Sequence, residues 1–302
     1  MSVASGLMAA VAVACPVCGG REQEVFLQGP ERPLNAAGFG SSRREISCGT
    51  ILRCRMCRFG FRQTRSNADE MAELYRHMDT AVYQAELAGR QRTARTHLRI
   101  VQQHLKGGRI LDVGCASGLF LRQAADAGWQ VTGIEPSEEL YPEAKRTLEG
   151  RGKVHQSTLE HARLEPGFDA ITLWDVLEHV PDPLGFLTAC RDLLTPGGYL
   201  FLNVPDLDSL EARLLGSRWP LLLAEHLNYF NRASLRRCAE TADLTPVRFG
   251  RRSVWFTVEY TAYRLAQHRI PLARAAHRLA SRGRPIMMPL RLGETYGVFQ
   301  RA

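Results

Sequence analysis

No apolar run in this chain reaches the roughly 18 residues that a membrane-spanning helix needs, so a helical membrane protein is excluded. Internal repeats and low-complexity tracts are also absent, which leaves a globular chain and not a solenoid or a fibrous one. Lysine is scarce, at positions 106, 145 and 153 only, so 36 of the 39 basic residues are arginine. A net charge of +8 would suit a nucleic-acid binder, but the excess is local. Between Arg251 and Ala302 ten arginines face only Glu259 and Glu294, and the rest of the chain is balanced. That distribution reads as a solvated arginine-rich face more than a phosphate-binding surface, and nucleic acid is not the expected partner. Met1 to Ala14 is small and apolar, has no Lys or Arg, and runs straight into Cys15. It reads as a loose N-terminus and not a secretory signal, with the cytoplasm as the expected compartment.

The 302 residues, 45% of them hydrophobic, are enough for one large domain with a sizeable core plus an appendage. Eight cysteines fall at 15, 18, 48, 54, 57, 115, 190 and 238, and the first five crowd the N-terminal fifth. Cys15-Pro-Val-Cys18 and Cys54-Arg-Met-Cys57 are two C-x-x-C knuckles. Such spacing lets two thiolates grip one tetrahedral ion while turn amides support the sulfurs, and two knuckles complete a four-cysteine zinc site. Four thiolates leave no open coordination position, so the zinc is expected to be structural. The 35 residues between the knuckles exceed the usual ribbon spacing, and Arg58 stands where a knuckle glycine is common. Unrelated free thiols are the alternative, and Cys48 is a spare.

The most informative stretch is Arg109-Ile-Leu-Asp-Val-Gly-Cys-Ala-Ser-Gly118, followed by Val131-Thr-Gly-Ile-Glu135. Ile110 to Val113 read as a buried strand and Gly114 to Gly118 as a tight turn. Leu119-Phe120-Leu121 with Ala124, Ala125 and Gly128 carry a helical apolar period. Glu135 ends the next strand, 23 residues after Asp112, where an acidic side chain can accept hydrogen bonds from both hydroxyls of a ribose. A nicotinamide dinucleotide would want G-x-G-x-x-G with no charge ahead of it. Here Asp112 precedes Gly114 and the spacing is G-x-x-x-G, which points to S-adenosylmethionine.

The stretch resembles motif I of the class I S-adenosylmethionine-dependent methyltransferases. Phe168-Asp-Ala-Ile-Thr-Leu-Trp-Asp175 resembles the family's fourth strand, Val176-Leu-Glu-His-Val-Pro-Asp-Pro183 the segment after it, and Leu194-Thr-Pro-Gly-Gly-Tyr-Leu-Phe-Leu-Asn203 the turn into the fifth. Ala116 departs from the pattern, standing where many members have glycine. The knuckled N-terminus, Glu73-Leu-Tyr75 with Tyr83, and Glu225-His-Leu-Asn-Tyr-Phe-Asn-Arg-Ala-Ser-Leu235 extend the likeness to a bacterial group with an N-terminal zinc ribbon. Members of that group tend to accompany polysaccharide or secondary-metabolite pathways. The resemblance implies a doubly wound, mostly parallel seven-stranded α/β sheet with its last strand, Tyr296 to Gln300, antiparallel. It also implies that Asp112 and the loop backbone of Gly114, Cys115, Ala116 and Gly118 hold the methionine end. Ligands of open sheets lie beyond the carboxyl ends of the strands, which sets Glu135 and Pro136 by the same cleft, Leu159 against adenine, and Trp174 or Asp175 by the methionine arm or the methyl group, with Trp174 as a strand-end core residue the alternative.

Strands are expected at Val154 to Gln156, Ala170 to Leu173, Tyr199 to Val204 and Pro246 to Phe249, with helices over Pro183 to Leu194 and Ser234 to Ala242. This alternation divides the chain into a zinc-ribbon module at 1–66, a helical linker and lid at 67–108, and a methyltransferase domain at 109–302. The last carries a helical insertion at 253–290 whose aromatics, among them Trp255, Phe256 and Tyr260, either pack a core or wall the acceptor.

Asp175-x-x-Glu178-His179, with Glu225-His226 later, has three readings. His179 or His226 is a general base, since imidazole titrates near working pH. Alternatively Asp175, Glu178 and His179 share a helical face as a divalent-metal site, with Mg²⁺ as the ion and His226 as a fourth ligand, resembling the E-x-x-E-H of quinone-pathway and small-RNA O-methyltransferases. In the third reading Glu178-His179 only packs the loop under the cofactor. The expected reaction is methyl transfer to a hydroxyl of a sugar or other small metabolite. An RNA methyltransferase and a non-catalytic scaffold are the alternatives, and the oligomeric state is open.

Overall fold

The structure is a computed structural model that describes residues 13–30, 48–78, 80–261 and 286–302. Three short strands come first: β1 (Gln23–Leu27), β2 (Ile51–Cys54) and β3 (Gly60–Arg62). Three helices follow, α1 (Ala68–Arg76), α2 (Ala81–Gln84) and α3 (Leu87–Gln102). The first begins at a reciprocal capping box in which the Asn67 side chain takes the Glu70 N–H and the Glu70 carboxylate takes that of Asn67.

Alternation then sets in, with β4 (Arg109–Val113), α4 (Leu119–Asp126), β5 (Gln130–Ile134), α5 (Leu140–Thr147), β6 (Gly152–His155), β7 (Phe168–Leu173), α6 (Pro183–Leu193) and β8 (Leu194–Pro205). After α7 (Leu210–Leu215), β9 (Asn228–Tyr229) and α8 (Arg232–Thr241) come β10 (Leu244–Arg251), β11 (Val254–Thr257), β12 (Met287–Leu290) and β13 (Glu294–Arg301). Proline at the first helical position and an Asp182 side chain accepting from Gly185 N–H start α6 where the sequence places it.

Seven strands form the main sheet in the order β10-β13-β8-β7-β4-β5-β6. Strands β4 to β8 are parallel, and β13 runs antiparallel to both β8 and β10. This is the expected doubly wound sheet. Its central strands are apolar on both faces: Ile110 packs with Ala170 and Phe201 on one side, Leu111 with Ile171 and Leu200 on the other, all fully buried. Strand β4 pairs with both β5 and β7, so the winding reverses there and a crevice opens beyond the carboxyl ends of these strands.

A second sheet, β1-β2-β3-β9, joins the cysteine knuckles to the rest of the molecule, because β9 comes from the chain beyond the fifth parallel strand. Phe59 and Phe61 of the ribbon and Phe230, just after β9, are fully buried, and the Phe59 and Phe230 rings meet edge to face with centroids 4.8 Å apart. Val17, Phe59 and Phe61, all before the boundary read at residue 66, share one buried cluster with Leu202 and Val204 of the main sheet.

The insertion at 253–290 has strands at its two ends and helical residues at 258–261 after the first of them. It begins and ends as the antiparallel strands β11 and β12, with Val254 opposite Leu290, and residues 262–285 lie outside the described residues. Alternating Val, Trp, Phe and Thr favour a pleated strand at its start. The backbone N–H of Thr257 donates to Glu86 at 2.7 Å, which fastens β11 to α3. No helix among the described residues is long and apolar enough to cross a membrane.

Candidate active site

The crevice is a cavity of about 450 Å³ lined by residues between Ala68 and Glu294. At one end lies the turn from β4 into α4. Gly114, Ala116 and Gly118 have φ of +73°, +48° and +79°, so the turn needs left-handed backbone at three alternate positions. Ala116 supplies one of them with an L side chain, a conformation that costs roughly 1 kcal/mol and that glycine takes freely. Gly118 faces away from the cavity against Ala144, whereas Gly114, Cys115 and Ala116 line it.

Two buried carboxylates close this end. Asp112 accepts from the Thr172 hydroxyl at 2.6 Å, and burial pushes its pKa up to about 7. Glu135 accepts from Ser137 N–H at 2.9 Å and Ala116 N–H at 2.8 Å, and burial likewise raises it to about 7 in spite of those donors. Each oxygen that takes one N–H retains a lone pair for a ligand hydroxyl. Asp112 forms no ion pair among the described residues. Pro136, Leu159 and Trp174 line the same cavity, and Trp174 stacks on His97 with ring centroids 3.9 Å apart.

Sequence reasoning did not single out Arg90. Its guanidinium lies 4.1 Å from the centroid of the Tyr83 ring, its Nε is buried without a hydrogen-bond partner, and Tyr83 O–H meets Ser117 Oγ at 2.8 Å. The signal that could have found it was an Arg and a Tyr seven residues apart in the segment already read as a lid.

At the other end the structure gathers Glu178, His179 and His226, whose ligand-capable atoms lie within 4.8 Å of one another. Glu178 and His179 sit on a short 3-10 turn, Leu177–His179, and His226 precedes β9. His179 Nδ1 lies 3.1 Å from Glu225 O and His226 Nδ1 2.9 Å from Leu221 O. A carbonyl only accepts, so both Nδ1 atoms carry the proton and both Nε2 atoms are the acceptor nitrogens of neutral rings. Burial drives His179 down to about 4 and His226 well below the ordinary imidazole value, while burial and then Asp175 push Glu178 well above the carboxylate range.

Asp175 is a correction to the metal reading. It stands before the 3-10 turn at φ +59°, and its carboxylate is gripped by Arg252 through two contacts, one of them 2.9 Å long. Asn203 also donates to it at 2.6 Å. Loss of water around Asp175 works upward on its pKa, but Arg252 and Asn203 outweigh that and hold it well below the usual range. A guanidinium therefore occupies the place a cation would take, and Arg252 also bonds Glu294 at 2.7 Å. One carboxylate with two imidazoles is a poor match for Mg²⁺, which wants oxygen donors.

The four knuckle cysteines do converge. Cys15 Sγ is 3.6 Å from Cys57 Sγ and Cys18 Sγ 3.5 Å from Cys54 Sγ, and all four ligand atoms lie within 4.8 Å. Gly19 and Arg58 occupy equivalent left-handed positions at φ +68° and +61°, each sending its N–H 2.9 Å back to the first cysteine's carbonyl. Arg58 thus adopts the backbone of the glycine it replaces. The hydrogen bond from Cys57 brings the Cys15 thiol down to about 5 and pushes the Cys57 thiol up, and burial pushes up Cys18, so Cys15 is the thiolate of the set, the form that binds metal. Cys48 lies elsewhere, buried against Ile51 and Trp219.

Residues 83–248 match the methyltransferase-domain family, and the chain belongs to it. Among curated relatives, a ubiquinone biosynthesis O-methyltransferase of Xanthomonas campestris is 47% identical over 104 residues, 33% of this chain and 44% of that protein. One from Dechloromonas aromatica is 37% identical over 154 residues, covering 47% of this chain and 66% of that protein. The chain thus spans less than half of the Xanthomonas relative's length. A magnesium protoporphyrin IX methyltransferase from Synechocystis, solved with bound SAH, is similar in structure at a TM-score of 0.47 and 16% identity, over 79% of this chain and 90% of that one.

Proposed function

We propose that the chain moves a methyl group from S-adenosylmethionine to a hydroxyl of a small acceptor, a sugar or a secondary-metabolite ring. The observation that carries this reading is that one cavity has a buried carboxylate pair at one end and two neutral histidines with acceptor Nε2 atoms at the other. Asp112 would pair with the cofactor's ammonium and Glu135 with its ribose hydroxyls, while Leu159 and Pro136 flank the base. Arg90 fits its carboxylate. When bound, the cofactor supplies an electrophilic methyl group on a sulfonium. The chain's part is to align the acceptor oxygen with that carbon and to take its proton at Nε2 of His179 or His226 as the new bond forms. Trp255 and Phe256 of β11 line the same cavity and offer flat apolar faces to a ring. Mg²⁺ has no part in this scheme.

The alternatives remain distinguishable. Six of the C-terminal arginines, at 264, 269, 274, 278, 282 and 284, lie outside the described residues. An acceptor screen with methyl-labelled cofactor decides the class. Label should pass to hydroxyl-bearing small molecules; transfer to an RNA fragment, or to nothing while the cofactor still binds, would replace this reading by the RNA-modifying or the scaffold one. A cytoplasmic setting and a small-molecule partner accompany the proposal.

Cys15, Cys18, Cys54 and Cys57 are the proposed ligands of a structural zinc, since four converging sulfurs on paired turns suit a tetrahedral thiolate ion. Elemental analysis of purified protein should return about one zinc per chain. Cys15→Ser and Cys54→Ser should lose it and expose the N-terminal segment to protease, and wild-type zinc content in both variants would remove the site.

A further inference from the structure

We propose that Arg65 is a positioning residue for the histidine pair, a role that rests on the reading that His179 and His226 face the acceptor. Arg65 lies between β3 and α1, far in sequence from both histidines. Its guanidinium donates to Pro181 O at 2.6 Å, Leu227 O at 3.0 Å and Asn228 Oδ1 at 2.9 Å. These acceptors belong to the two segments that carry the cluster, one with Glu178 and His179 and the other with His226.

Asn228 completes the clasp from the far side. Its amide donates to Leu177 O at 2.9 Å and Val180 O at 2.7 Å, the two ends of the turn that presents Glu178 and His179. Leu227 N–H donates to Glu178 O at 2.8 Å. Arg62 adds its backbone N–H to Leu227 O at 3.0 Å and its guanidinium to Ala224 O at 2.7 Å. Pairing of Gly60 with Tyr229 and Phe61 with Asn228 then continues the ribbon sheet into the segment that bears His226.

Arg65 forms no salt bridge among the described residues, and burial lowers its pKa to about 10. A half-buried guanidinium held by carbonyl and amide oxygens is costly for stability, and its planar fork is what reaches three acceptors on two segments at once. Lysine offers a point charge and no such fork. A base must come within roughly 2.6–3.2 Å of the proton it takes, and a misplacement of about 1 Å costs on the order of 10²-fold in rate. The ribbon thereby contributes to catalysis without touching the acceptor.

The test uses the full chain as purified, with its metal. Histidine side-chain ¹H–¹⁵N spectra, assigned with His179→Ala and His226→Ala, should show the Nδ1–H form for both rings in the wild type and mixed tautomers in Arg65→Ala. S-adenosylmethionine affinity by calorimetry should stay within about twofold, turnover with an acceptor from the screen should fall about 10²-fold, and added guanidinium ion should restore part of both signals. Wild-type spectra and rate in Arg65→Ala overturn the proposal, as does a cofactor affinity that falls in step with the rate. Should Arg65→Ala fail to fold, Arg65→Lys serves: an intermediate rate and altered tautomers support the role, and wild-type behaviour removes it. The spectra need no acceptor, so they judge Arg65 even if His179→Ala and His226→Ala show the histidines to be catalytically idle.

Discussion

Replacing His179 or His226 by alanine should cut methyl transfer by roughly 10²-fold, the low end of a general base's usual contribution because burial holds both imidazole pKa values well below working pH, while cofactor affinity stays nearly constant. The two rings stand 4.8 Å apart at 81°, both with Nδ1 tied to a backbone carbonyl. The expected pH dependence follows from the same burial. His179 at about 4 is neutral across the physiological range, so turnover at saturating cofactor should be flat from near neutrality down to about pH 5 and fall only as His179 protonates. An unburied imidazole would lose activity near 6.5 instead. Single-turnover rates with labelled cofactor measure both effects. Full activity in both variants would withdraw the catalytic assignment, and activity lost to EDTA and restored by Mg²⁺ would revive the divalent-ion reading that the Asp175–Arg252 pair argues against.

Asp112→Asn should weaken S-adenosylmethionine binding by roughly 10- to 100-fold, the worth of one charged hydrogen bond in a buried site. A pH signature goes with it. Burial raises Asp112 to about 7 in the ligand-free protein, and an ammonium partner favours the carboxylate, so binding below that pH must expel a proton. Affinity should therefore rise with pH up to about 7, by as much as about tenfold per unit from this group alone, and level off above it. The Asn variant should lose that part of the slope, leaving what Glu135, also near 7, contributes. Calorimetric titration between pH 5.5 and 8, about the range of these pKa values, checks both. Unchanged affinity and slope would remove Asp112 from the cofactor site. Together the two predictions separate the ends of the cavity, since lowering pH from about 7 to about 5 should weaken cofactor binding and leave the saturated rate intact.

The cofactor end was the more legible in the sequence because its geometry is local. Asp112, Gly114 and Ala116 lie within five residues, and the turn they form follows from a strand meeting a helix through left-handed backbone. Glu135 is one crossover away, and the parallel register that sets Asp112 opposite Gly133 carries it to the adjacent strand end. Arg90 was missed because an arginine on an amphipathic helix looks like solvent-facing charge until the helix is docked. Asp175 entered one of the three readings as a metal ligand. Its spacing to Glu178 and His179 suggests a shared face, yet its backbone turns left-handed before the 3-10 turn and its side chain goes to Arg252, 77 residues on.

By itself the sequence determined what short-range chemistry determines: the alternating strands and helices, the glycine turn, the two knuckles, and the residue types able to hold a nucleoside cofactor. Tertiary structure alone decided which distant groups meet. Only a folded chain brings the knuckles, 35 residues apart, to one point, adds β9 to the ribbon sheet, and lets Arg65 clasp the segments of His179 and His226. The reason is physical. Backbone preferences and apolar periodicity act over a few residues, whereas ion pairs, tautomers and raised or lowered pKa values depend on which groups burial forces together, and the pattern along one segment carries no record of that.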